Sequence, residues 1–426
     1  MTDTPTHTRL QAWLVVFFAS LLFYYEFMQL NMINSLSTPL MREFHLNAEQ
    51  LSALSSMYFI ANVLFLLPAG IMLDRFSTRK LILGAMTICT LSIFGFALSH
   101  SVILSGFFRF ATGIGGAFCF LSCMRIASRW FPPHRMALVT GFVVTMAMLG
   151  GWTAQMPLTH LIHDMGWRDA LLVDGVLGVL ITVFMLFVLK DRPDNQADDT
   201  SHEVRQLQEI GLLNSVKLVL SNWQNWLGGL YTCFLNLPIF LLGALWGTHY
   251  LMQIDNLSAI QASSISGMIF VGATIGSPVM GWLSDKMRRR CLPMMIGAVL
   301  SLSLIFIIIY QEGLSYATLQ VLFFALGFIT STQVISYPTV AEHNSPLLTG
   351  TAVSIVSMTT LAGGAIFQPF FGWLMDKAWS GKVIHGVPVY SVTDYRTALT
   401  ILPIVFGLAL IAAILLRETY CRSQTE

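Results

Sequence analysis

Gly70-Ile71-Met72-Leu73-Asp74-Arg75-Phe76-Ser77-Thr78-Arg79-Lys80 closes one apolar run, Leu54 to Leu73, and opens another, Leu81 to Leu98. A glycine, an acid and three bases between two membrane-length segments form a tight charged turn. The same object returns 211 residues later as Gly281-Trp-Leu-Ser-Asp285-Lys286-Met-Arg288-Arg289-Arg290. Two further pairs keep nearly the same offset: Thr140-Gly141 with Thr349-Gly350, and Gly150-Gly151 with Gly363-Gly364. One half of the chain therefore reads as a copy of the other.

The composition says where such a chain resides. Of 426 residues, 55% are hydrophobic and 11% charged, with a mean hydropathy of +0.68. Soluble domains carry roughly 25% charged residues, so this chain belongs in a lipid bilayer. A spanning helix takes about 20 apolar residues. The runs predict twelve: 12–38, 50–73, 80–98, 102–125, 136–159, 168–189, 223–251, 259–283, 291–310, 315–337, 347–375 and 398–416. The expected architecture is an all-α membrane protein, twelve transmembrane helices in two pseudo-symmetric six-helix bundles. Residues 1–189 form the first bundle, 190–222 a polar cytoplasmic linker, and 223–426 the second. Kinks are expected at Pro238 and Pro278.

Lysine and arginine set the orientation. With the amino terminus inside, seventeen fall on the inner side and five on the outer. Both termini are then cytoplasmic. A net charge of +1 gives no reason to expect a nucleic-acid partner. The first apolar run is too long and too polar in its middle for a cleaved signal peptide and reads as a retained helix. The six cysteines lie mostly in apolar runs and read as small packing residues. No phosphate-cradling G-x-x-x-x-G-K-[ST] stretch occurs, so no ATP motor is expected. His160-Leu-Ile-His163-Asp164 puts two rings on one helix face but lacks further ligands, and no metal site is expected. Nor does any nucleophile–base motif suggest an enzyme.

Gly70–Lys80 resembles the loop 2–3 signature of the major facilitator superfamily. Arg109-Phe-Ala-Thr-Gly113-Ile-Gly115-Gly116-Ala117 is similar to its helix 4 signature. Trp130-Phe-Pro-Pro133-His-Arg135 with Thr140-Gly141, and Gly166-Trp167-Arg168, resemble its bacterial anion and organic-solute members. Tyr24-Tyr25-Glu26-Phe27 resembles a narrower group in intracellular bacteria that includes phagosomal amino-acid and nucleoside transporters. The loop signature departs from the pattern at Ser77, where glycine is usual, and helix 5 keeps only part of its glycine–proline pattern. The resemblance implies a secondary transporter of the bacterial inner membrane, working as a monomer with protons and a small-molecule substrate. It implies no cofactor, the proton gradient being the energy source.

Glu26 reads as the only carboxylate deep in the membrane, where ionisable groups are costly and mark function. It is the candidate proton carrier. Arg109, about one turn from Glu26 in depth, is expected to pair with it or to hold an anionic group. Tyr25, Gln29 and Asn34 on helix 1, Tyr58 and Asn62 on helix 2, Arg125 on helix 4, and Trp152 and Gln155 on helix 5 are candidate substrate contacts. So are Tyr231, Asn236 and Trp246 on helix 7, Gln333 and Tyr337 on helix 10, and Gln368 on helix 11. A conformational latch is expected from Gly70, Asp74, Arg75, Arg79 and Arg129. There Asp74 faces the amino terminus of helix 11, and Gly70 admits a close neighbour. Gly281, Asp285 and Arg289 would do the same against helix 5. Amino-acid-like uptake is the first expected activity. Export of a chelator or drug, and exchange of organic anions, are the alternatives.

Overall fold

The computed structural model describes the chain except residues 1–5, 132–134, 193–211, 256, 346–347, 385–386 and 423–426. Among the described residues twelve helices are long and apolar enough to cross a membrane. An even number of crossings puts both ends of the chain on one side, here termed the terminal side; the opposite side is the far side. Side chains such as Phe107, Leu180, Phe187 and Ile404 stand exposed around the perimeter, as a lipid-facing surface requires.

Helices 2, 3, 4, 6, 8, 9 and 11 are continuous: Ala48–Arg75, Thr78–Leu98, Val102–Trp130, Trp167–Val188, Ala259–Met287, Cys291–Tyr310 and Thr349–Ala378. Helices 1, 5, 7, 10 and 12 are interrupted. Helix 1 runs Thr6–Asn31, breaks at Met32 and resumes as Ile33–Phe44. Helix 5 is split into Met136–Thr153 and Met156–Met165, helix 10 passes through a 3₁₀ turn at Ser331–Ile335, and helix 12 is Val392–Leu399 followed by Ile401–Leu415. Helix 7 runs Trp223–Pro238, widens to π geometry over Ile239–Trp246 and finishes as Gly247–Asp255. The widening begins right after Pro238, where a proline removes one backbone donor and crowds the preceding turn. Pro278 lies inside the continuous helix 8. Two boundaries also move: a Ser391–Asp394 capping box starts helix 12 at Val392 rather than 398, and Leu212–Ser221 inside the expected polar linker is helical. A short antiparallel pair, Val383–Ile384 with Val387–Pro388, lies between helices 11 and 12.

Helices 1–6 and 7–12 make two bundles, and their packing repeats. In helix 5, Gly150 lies against the backbone of Tyr24 on helix 1, while Gly151 meets Phe270 of the other bundle. In helix 11, Gly363 lies against Cys233 on helix 7, while Gly364 meets Phe59 of the other bundle. The two phenylalanines are 211 residues apart, the offset of the charged turns. Likewise Gly113 sits on the Tyr58 carbonyl and Gly327 on the Ile269 carbonyl, the two carbonyls being again 211 residues apart. Small residues here let backbones touch where lipid offers no hydrophobic drive for association. Between bundles, helix 2 packs on helix 11 and helix 5 on helix 8. Helix 7 is the most enclosed span, 89% buried in its most apolar window.

Candidate functional site

The break in helix 1 leaves carbonyls without their helical donors, and these must be satisfied inside the bundle. Arg109 of helix 4 does this. Its Nη1 donates to the Gln29 carbonyl and its Nη2 to the Leu30 carbonyl at 2.8 Å. Asn31 adds a donor to the Phe27 carbonyl at 2.7 Å. The Arg109 guanidinium carbon stands 5.2 Å from the centre of the Tyr58 ring. Arg109 thus caps the carboxyl end of the first segment of helix 1, where a cation is favoured. The expected pair with Glu26 does not form: among the described residues no ion pair joins them within 4.0 Å. The break itself captured the guanidinium.

Glu26 sits one turn before that cap and is 1% exposed. A side chain at Gly116 would collide with its Oε1, the Tyr58 hydroxyl and the Asn62 amide nitrogen, so these three groups converge on the gap the glycine leaves. Asn62 Nδ2 donates to Tyr58 Oη at 3.2 Å. Glu26 Oε1 and Asn62 Oδ1 have no hydrogen-bond partner. Unmet acceptors in a buried polar cluster are costly unless a ligand, water or proton completes them. This notch, in the interior of the first bundle, is the centre of the candidate site.

Glu26 is not the only deep carboxylate. Asp174 in helix 6 is 3% exposed, accepts from Gln29 Nε2 at 2.6 Å and leaves Oδ1 unpartnered. Sequence reasoning misses it because a single acid hardly lowers the hydropathy of helix 6. Tyr25 donates to the Asp174 carbonyl at 3.2 Å. Tyr25 and Gln29, expected at the substrate, are therefore engaged with helix 6 inside the bundle.

In the second bundle Asn236 and Gln333 hold each other. Asn236 Nδ2 donates to Gln333 Oε1, and Gln333 Nε2 returns a bond to Asn236 Oδ1 at 3.1 Å. Asn236 lies 210 residues after Glu26, at the matching depth of helix 7. Tyr231 is spent on the Met294 carbonyl at 2.8 Å and Thr332 at 3.0 Å. Tyr337 packs beside Val340, Ala352 and Ile355. Arg125 and Trp152 are half-buried; Trp152 lies at the helix 5–helix 8 seam beside Gly267.

Gln155, Trp246 and Gln368 belong to a far-side seal rather than to an open wall. The π stretch of helix 7 turns carbonyls outward, and glutamines take them: Gln155 Nε2 donates to Gly243 O and Gln368 Nε2 to Phe240 O, each at 2.8 Å. Asn34 Nδ2 donates to Gln155 Oε1 at 2.6 Å and Ser266 Oγ at 3.0 Å, and its Oδ1 accepts from the Thr248 amide at 3.0 Å. Trp246 Nε1 donates to Ser52 Oγ at 3.2 Å, and Thr38 Oγ1 meets His249 Nε2 at 2.8 Å. Those of these hydrogen bonds that join the two bundles lie toward the far side.

On the terminal side the described glycines make few contacts. Gly281, Gly141 and Gly350 face open space, and Gly70 meets only Leu121 at 3.7 Å. The close backbone approach expected at Gly70 and Gly281 is not seen at either glycine. Asp285 bonds Arg290 of its own bundle at 2.6 Å rather than Arg289 or helix 5, and Arg290 continues to Glu342 at 2.7 Å. Burial works against the Arg290 charge, but the hydrogen bonds it donates to Glu342 and Asp285 outweigh it and hold its pKa above the usual arginine value. The Asp74 side chain lies outside the described residues; Arg75 and Arg289 are exposed. Arg79 donates to the Leu186 carbonyl at 2.7 Å, and Arg129 reaches Thr78 at 3.2 Å and Asp191 at 3.8 Å. Ser77 explains its own departure from glycine. It is the N-cap of helix 3, accepting from the Lys80 amide at 3.3 Å and donating to Asp191 at 2.5 Å.

Two six-helix bundles, joined by hydrogen bonds toward one side around buried polar groups, define a membrane carrier. The Major Facilitator Superfamily model matches residues 13–367 and 239–421, and the chain belongs to that family. It is a transporter, not an enzyme. It is 25% identical to a probable sulfoacetate transporter, SauU, of Cupriavidus necator, over 81% of this chain and 83% of that one. It is 26% identical to a probable galactarate/D-glucarate transporter, GudP, of Bacillus subtilis, over 63% and 65%. It is 24% identical to the membrane sensor protein UhpC of Escherichia coli, over 84% of each. In fold it is similar to a bacterial homologue of the human lysosomal transporter Spinster, solved inward-facing and unoccupied. That match has a TM-score of 0.77 at 16% identity and covers 98% of this chain and 99% of the other.

Proposed function

We propose that this protein is a proton-coupled carrier that takes up a small polar organic solute bearing a carboxylate, amino acids included. It would act as a monomer in the bacterial inner membrane with both chain ends in the cytoplasm. The observation that carries the reading is Glu26: a carboxyl inside a membrane span, with one oxygen unpartnered beside Tyr58 and Asn62. Protonation changes what that oxygen can bond, and a proton biases the carrier only by binding its two states unequally. The relatives named for sulfoacetate and glucarate support an acidic organic solute, and the excess of bases on the terminal side supports the orientation. Residues 1–189 and 223–426 rock as two bodies joined by 190–222, whose residues 193–211 lie outside the described part.

Proteoliposomes loaded with sulfoacetate, D-glucarate or an amino-acid mixture test this. Counterflow of the labelled solute should saturate, and an acid-outside gradient should drive accumulation. Glu26→Gln should keep counterflow and lose at least about tenfold of the gradient-driven accumulation. Accumulation that survives Glu26→Gln unchanged removes Glu26 from the coupling. Binding without counterflow for every probe would favour a sensor, as the UhpC relative is named.

A further inference from the structure

Helix 2 runs from the far side to the terminal side, and helix 11 runs antiparallel to it. Each carries a glycine and an aspartate four residues apart at its carboxyl end: Gly70 and Asp74 on helix 2, Gly372 and Asp376 on helix 11. The second of these reads Gly372-Trp-Leu-Met-Asp376-Lys377, nearly the same as Gly281-Trp-Leu-Ser-Asp285-Lys286 of helix 8. At this spacing both residues lie on one helix face.

On helix 11 the pair is engaged. Gly372 lies directly against the Ala48 carbonyl and Ser52 Oγ, so the two helices touch there. One turn on, Asp376 covers the amino terminus of helix 2. Its Oδ1 accepts from the Ala48 amide at 3.2 Å and its Oδ2 from the Glu49 amide at 2.9 Å. Tyr390, 3% exposed and beyond the end of helix 11, donates to Asp376 Oδ1 and accepts from the Ala48 amide at 2.8 Å. The next amide, of Gln50, is taken by Asn47 of its own loop at 2.8 Å. A carboxylate from one bundle thus satisfies the leading donors of a helix in the other, at the end where the dipole favours a negative charge.

We propose that Asp376, positioned by Gly372 and Tyr390, is the far-side clasp of the carrier. It holds helices 2 and 11 together on the far side, and releases when Asp74 makes the equivalent contact with the amino terminus of helix 11. The inner half of that exchange rests on the alternating-access reading of the function; the far-side half stands on the contacts of Asp376 and Tyr390 with helix 2.

Spin labels at Ser101 and Gln311, both exposed at far-side ends of different bundles, report the separation without any substrate. The label distance is measured in full-length protein in lipid nanodiscs, with Cys421 changed to serine. Asp376→Asn should raise the population with a long Ser101–Gln311 distance about tenfold, since the amides lose a charged acceptor. Tyr390→Phe, which removes one hydroxyl and is the milder change, should raise it by a smaller factor. A distance distribution identical to wild type in both variants overturns the clasp. Asp74→Asn should move the population the other way. If Asp74→Asn has no effect while Asp376→Asn does, the clasp stands and the inner latch falls. Loss of proton-driven uptake in separate assays would not alter the distances, so the two proposals fail independently.

Discussion

Arg109 reaches helix 1 from helix 4 one turn beyond Glu26, where backbone carbonyls rather than a carboxylate take its donors. A guanidinium spreads its donors in a planar fork and here satisfies the Gln29 and Leu30 carbonyls together. Lysine, a compact point charge, cannot hold both in that geometry. Arg109→Lys should therefore lower the stability of the detergent-solubilised protein by about 1.5–3 kcal/mol, one charged hydrogen bond's contribution, read as a fall in the thermal midpoint. Because lysine keeps the positive charge near Glu26, the shape of the pH–transport profile should stay as in wild type. A displaced profile would show that the two groups act together. Gly116 serves the site by what it lacks, leaving the space in which Glu26, Tyr58 and Asn62 meet.

Helices 5 and 11 are equivalent elements, and each holds two bundles at one point. Gly151 against Phe270 and Gly364 against Phe59 are the bundle-to-bundle contacts of a duplicated design. Leucine at either position would displace an aromatic ring from a tight seam, an overpacking change that costs about 1–3 kcal/mol. The strain falls mainly on the state in which the seam is closed. Gly151→Leu and Gly364→Leu should therefore both reduce counterflow, each with the folded fraction preserved. A large effect in one and none in the other would mean that the two seams do not act alike. The interrupted helices work differently. The π stretch of helix 7 exposes carbonyls that Gln155 and Gln368 take from either side, 213 residues apart in sequence, so irregular backbone survives because protein surrounds it.

Across the whole molecule, the far-side seal is a network centred on Asn34, which touches helices 5, 7 and 8 with one amide. Asn34→Ala leaves Gln155, Ser266 and the Thr248 amide short of a partner. Amide hydrogen exchange in Ile239–Asp255 should rise about tenfold or more, because the lost bonds are buried ones. Unchanged exchange there would place the strength of the seal elsewhere, in the apolar contacts of Trp246 with Phe371 and Tyr395.

Twelve spans, their two-fold repeat and the charged turns were legible in the sequence, because a bilayer enforces length and polarity locally. Glu26, Tyr58 and Asn62 could be named, since polar groups in an apolar run stand out one by one. Their convergence on Gly116 could not, because it depends on how helices 1, 2 and 4 cross. For the same reason Tyr25 and Gln29 turned out to serve Asp174, and Gln155, Trp246 and Gln368 the seal. The sequence determined that there are two bundles with a charged turn and a glycine–aspartate pair in each. Whether a pair is engaged depends on how helix ends meet in space, which no single segment encodes. Only tertiary structure shows the Asp376 carboxylate on the amides of helix 2 while Gly141, Gly281 and Gly350 face open space.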